Sequence, residues 1–155
     1  MALHNPDVRA VVGLDGTYGL ASAEGAAAFK SQYDPSRVAV STEILDIDRA
    51  DAELDLSVLQ SFQRADRYFV PMPGMFHGDF TSFVMGAQAF HLPPPENAAP
   101  NWTQAVGAEG YQRVCVGILD FLRSRFTADD GTFRNWQAEM SRLGASVTHE
   151  APSAQ

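Results

Sequence analysis

Apolar positions in this chain fall into short continuous runs and helix-spaced stripes, and the two kinds alternate. Residues 8–14, "VRAVVGL", form a short apolar run with "NPD" before it and "DGTYG" after, which predicts a buried strand. "AEGAAAFKSQY", capped by Ser22, predicts a helix that stops before Asp34 and Pro35. "RVAVSTEILDI", residues 37–47, is β-branched and nearly continuous in apolar character, as in a strand covered on both faces. Leu54, Val58, Leu59 and Phe62 then recur at helical spacing before a third strand, "RYFVPM". This order predicts an α/β fold of about three parallel strands, joined by right-handed crossovers and flanked by helices.

Beyond the third strand the helical period takes over. Phe80, Phe83, Val84, Ala87 and Phe90 mark one helix, and "HLPPPENAAPN" is a loop whose prolines lack amide donors. Tyr111, Val114, Cys115, Ile118, Phe121 and Leu122 stripe a strong helix near the C-terminus, and Phe133, Trp136, Met140 and Leu143 stripe another. Residues 1–143 read as one folded portion, with neither an internal repeat nor a linker. Residues 144–155 are small and polar and read as a flexible tail.

Composition narrows the partners. With 155 residues, 45% of them hydrophobic, the chain can bury a real core. A net charge of −8, with only 11 Lys and Arg and no basic cluster, excludes the footprint that nucleic acid or an anionic membrane surface requires. No apolar run reaches the roughly 18 residues of a membrane span, and "MALHNPDVRA" lacks the basic start and apolar centre of a signal peptide. The expectation for the chain as written is a soluble, cytoplasmic protein. Cys115 is the only cysteine, lies in "RVCVGILDFL" and reads as core, so no disulfide framework forms within the chain.

In open α/β sheets, sites collect at the carboxyl ends of strands. Asp15 closes the first predicted strand, Asp48 and Asp51 follow the second, and His77 follows the third in "GMFHGDF". A carboxylate bonded to one imidazole nitrogen fixes the tautomer that lets the other take a proton from a nucleophile. The plainer roles are a turn at Asp15, a helix cap at Asp48 or Asp51, and a carbonyl bond at His77. Phe76, Phe80 and Phe83 fit either an acyl pocket or ordinary core. The pairs His77 with Asp79 and His4 with Asp7 are too few ligands for a metal, so neither metal nor cofactor is expected.

Four stretches together resemble the α/β-hydrolase superfamily, in particular dienelactone-hydrolase-like enzymes and relatives of platelet-activating-factor acetylhydrolase. They are "NPDVRAVVGLDGTYG", "VAVSTEILDI", "PMPGMFHGDFTSF" and "GYQRVCVGILDFLRSRF", covering residues 5 to 126. The resemblance implies that His77 is the catalytic base. In the acetylhydrolase-like branch the acid follows the strand after the nucleophile helix, which matches Asp15. In many other members it follows the next strand, which matches Asp51 or Asp48. "LDG" matches more closely, so Asp15 is the expected acid and the other two are alternatives.

The sequence departs from the family in three ways. No G-x-S-x-G elbow occurs in it. The elbow would precede Asp15, so the resemblance implies the C-terminal portion of a hydrolase domain, inactive alone, whose full-length form acts on a small-molecule ester. Glu43 stands in a strand where relatives tend to be apolar, and burial there is costly unless the carboxylate is paired or exposed. The first strand would also lack its neighbour on one side, an association hazard. The alternative is therefore a non-catalytic α/β binding or assembly module that oligomerises through its open sheet edge. A complementing N-terminal half is the third possibility.

Overall fold

The computed structural model describes residues 5, 7–16, 23–32, 42–50, 54–96, 98, 102–127 and 129–153. Among the described residues, four strands form one sheet in the order β1 (Ala10–Leu14), β2 (Glu43–Arg49), β3 (Asp66–Met72) and β4 (Thr148–Glu150). Strands β1 and β2 are parallel, with Ala10 opposite Glu43 and Leu14 opposite Ile47. Helices α1 (Ala23–Gln32) and α2 (Ser57–Ser61) lie between strands in sequence. After β3 come a 3-10 turn (His77–Phe80) and helices α3 (Phe83–Ala89), α4 (Gln104–Thr127) and α5 (Gly131–Arg142). The α/β class and the mostly parallel sheet expected from the sequence are therefore present.

The chain divides into two compact units. The first comprises Met1–Asp48, Ala52–Val70 and Val147–Gln155. Ile44, Val58, Leu59, Phe62 and Ala65 form its core, with Val11 and Phe69 packed against them. Helix α2 is only five residues long, yet Val58 and Leu59 are buried. Its start is fixed by the Asp55 carboxylate, which accepts from the Ser57 N–H at 2.9 Å. Glu43 occupies the first position of β2 and is half-buried, which moderates the cost expected of a carboxylate in mid-strand. Residues 37–41 of the expected second strand lie outside the described residues.

Residues 144–155, expected to form a flexible tail, instead hold β4, antiparallel to β3. Side chains explain the pairing. Arg67 meets Glu150 at 3.0 Å, His149 Nε2 and Asp66 Oδ1 are 2.8 Å apart, and the His149 ring stacks on Tyr68 at 4.4 Å. The Ser153 N–H donates to the Gln63 carbonyl at 2.8 Å. Cross-strand pairs of this kind contribute roughly 0.2–1 kcal/mol each.

The second unit comprises Arg49–Asp51 and Pro71–Ser146. Helices α4 and α5 bury Val114, Phe121, Phe133, Trp136 and Met140 between them. The Phe121 and Phe133 rings lie 5.3 Å apart, and Trp136 stacks on Phe133 at 5.8 Å. Trp136 also donates its indole N–H to the Arg113 carbonyl at 2.8 Å, so its polar end is satisfied. The close approach of α4 to this indole depends on Gly117, where an added Cβ would lie 2.3 Å from Trp136 Cε2. Gly117→Ala is expected to destabilise by about 1–3 kcal/mol through overpacking, despite the better helix propensity of Ala. A urea melt checks this, and an unchanged midpoint would contradict it.

Candidate functional site

The carboxyl end of the first unit's parallel strands gathers three carboxyl groups. Asp15, just past β1, has φ 44°, a left-handed conformation that Asp tolerates better than most residues, and Gly16 follows at φ 102°. The Asp15 N–H donates to the Ile47 carbonyl at 2.8 Å, extending the strand pairing by one residue. The Gly16 N–H donates to Asp48 Oδ1. Asp48 lies within β2 rather than after it, is fully buried, and anchors the turn after β1. That bond replaces the helix-capping role open to it from sequence.

Asp46 precedes Asp48 by two residues, so strand alternation puts both side chains on one face of β2. It is also fully buried, and no N–H or O–H donates to either of its oxygens. Burial raises its pKa to about 8, helped by the charge of Asp48, a hydrogen bond with the Asp48 carboxyl, and the charge of Asp15. Two carboxyls can share a hydrogen bond only when one keeps its proton. Burial, the first cause of the shift, makes Asp46 the one that keeps it, so at neutral pH the cluster holds a neutral acid at Asp46. Among the described residues no group of three or more His, Cys, Asp or Glu side chains is arranged to hold a metal ion.

In the second unit the chain leaves β3 through Gly74, at φ 72°, and passes Met75 and Phe76 into the 3-10 turn. One carboxylate organises the turn. Asp79 is 1% exposed, and its Oδ2 accepts from the Phe76 N–H at 2.8 Å and from the Trp102 indole N–H at 2.7 Å. The Asp79 N–H donates back to the Phe76 carbonyl at 2.9 Å. These bonds close a reciprocal box around His77, which is exposed at the head of the turn.

Phe76 and Gly78, the neighbours of His77, line a cavity of about 380 Å³. Asp79, Phe83, Val84, Ala87, Trp102 and the proline-rich loop complete its wall. Phe76 and Phe83 thus occupy the pocket position open to them from sequence, whereas Phe80 is buried and outside the lining. Phe83 remains 66% exposed and Leu92 40%.

Of the residues singled out from sequence, Asp15 and Asp48 meet in the first unit, while His77 belongs to the second. Asp51 and His4 lie outside the described residues. Cys115, expected in the core, is only partly buried. Sequence reasoning passed over Asp46, whose signal was a second Asp at an alternate position in "ILDID". It also passed over the Asp79–Trp102 bond, which joins residues 23 apart and leaves no local signature. No helix among the described residues is long and apolar enough to cross a membrane. No protein-family model, curated protein or solved structure matches this chain.

Proposed function

We propose that this chain is the C-terminal part of a serine esterase-type α/β hydrolase, supplying the base and the acid of a triad whose nucleophile elbow it lacks. The observation that carries the reading is His77, exposed at the head of a braced turn after β3, with an apolar cavity lined by both of its neighbours. In the complete enzyme a serine attacks the ester carbonyl, His77 takes the serine proton, and the same proton passes to the leaving alcohol. In the same reading Asp15 is the acid of the triad, with Asp48 and Asp51 as alternatives.

The test joins the chain to the segment encoded in frame upstream of Met1 and measures hydrolysis of p-nitrophenyl butyrate. The chain alone is expected to be inactive. The joined protein is expected to be active, with His77→Ala lowering kcat about 10²–10⁴-fold. An upstream frame without an elbow, or activity that survives both His77→Ala and Asp15→Asn, would overturn the reading.

A second reading, a non-catalytic module that assembles through its open sheet edge, is favoured by the position of β1 at the end of the strand order. Leu119 and Phe126 on α4, 66% and 74% exposed, offer further apolar contact. Under that reading, sedimentation of the chain alone gives a discrete oligomer and the joined protein shows no esterase activity.

A further inference from the structure

We propose that the cavity beside His77 is the subsite for the acyl part of the substrate, and that it admits uncharged, medium-length apolar groups while turning carboxylates away. Its acyl role rests on the hydrolase reading, whereas its ligand preference rests on the cavity alone. At about 380 Å³, the space lies near the small end of the roughly 300–1,000 Å³ usual for ligand pockets. It has room for about a dozen water-sized groups, which suits an eight-carbon chain.

The wall is aromatic and aliphatic, and Asp79 is the one ionisable side chain among the described residues that line it. The carboxyl is fixed from two sides. Oδ2 holds the Phe76 and Trp102 N–H groups, and α4 closes on Oδ1 at Gly107, where an added Cβ would lie 2.6 Å away. Among the described residues, no Lys, Arg or His lines the cavity. An entering carboxylate would lose its hydration, gain no cation, and face Asp79. A neutral alkyl group carries no charge to be desolvated and meets a wall that is aromatic and aliphatic apart from Asp79. Phe83, left largely in water, and the partly exposed Leu92 both line the space and gain burial when it is filled.

The test uses two probes with the same alkyl chain, 1-octanol and octanoate, titrated at neutral pH into the chain itself. Emission of Trp102, which lines the cavity, reports occupancy, and calorimetry confirms it. Saturable octanol binding is expected, with octanoate weaker by about tenfold or more. Ala87→Phe fills the space and abolishes octanol binding. Leu92→Asp, at the exposed rim, weakens it without altering the buried wall. Asp79→Asn keeps an acceptor for both N–H groups but removes the charge, and brings octanoate closer to octanol.

Equal affinity for the two probes, no saturable binding, or octanol binding indifferent to both Ala87→Phe and Leu92→Asp would overturn the proposal. The two readings fail separately. Selective octanol binding by a chain whose joined form lacks His77-dependent hydrolysis removes the esterase reading and leaves an apolar ligand site. His77-dependent hydrolysis with no octanol binding removes the pocket and leaves the esterase.

Discussion

Replacing Asp46 by Asn is expected to abolish a loss of stability of about 3 kcal/mol that the native chain suffers between about pH 5.5 and 8.5. In the unfolded chain Asp46 titrates at its model value of 3.8, whereas in the fold its pKa is about 8. Between these values the folded state holds a proton that the unfolded state has released. Linkage therefore makes unfolding easier as pH rises, by up to about 1.4 kcal/mol per pH unit, and the slope vanishes above the folded pKa. The stabilising contribution of a proton on Asp46 is complete at low pH and is lost upward through this window, the reverse of an acid held by a salt bridge. Asn resembles the protonated carboxyl and can donate to Asp48, so the variant keeps the bond and loses the titration. Urea melts of both proteins across the range check the difference between their slopes, in which titrating groups that do not interact with Asp46 cancel. Equal slopes, or a native chain that gains stability toward high pH relative to the variant, would refute the account.

The same residue shows where the sequence stops being readable. Strands β1, β2 and β3 and helices α4 and α5 were legible because each announces itself locally, through continuous apolar runs or a 3.6-residue stripe. Asp15, Asp48 and His77 were legible as candidates because strand ends are where chemistry collects in a parallel sheet. Asp46 was not, since the apolar run that identifies β2 invites the reader to treat its interior as uniformly apolar. Its burial is tolerated because it keeps its proton, which burial and the nearby charge of Asp48 both favour. Strand β4 was hidden for another reason. "THE" has little strand character of its own, and Arg67, Tyr68 and Asp66, some eighty residues earlier, provide the partners that hold it. The cavity likewise needs α3, the proline-rich loop and Trp102 to meet, which no single window of sequence contains.

Asp79→Ala is expected to cost about 2–5 kcal/mol and to release the turn that carries His77. Removing the carboxylate strands two donors together, the Phe76 amide and the Trp102 indole, and each buried unsatisfied group costs about 1–3 kcal/mol. The substitution does more than weaken a core. The lost bonds fix where the chain turns after β3, so the His77 backbone loses its bracing on one side and the cavity loses part of its wall. Asp79→Asn separates the contributions, because its amide oxygen still accepts from both groups and only the charge-assisted share of the bonds is lost. Stability should therefore fall in the order native, Asn, Ala. Amide exchange of residues 76–81 should quicken in the Ala variant well beyond the change produced by an equally destabilising substitution at Phe133. If exchange in the turn follows global stability alone, Asp79 is an ordinary buried acid and does not set the position of His77.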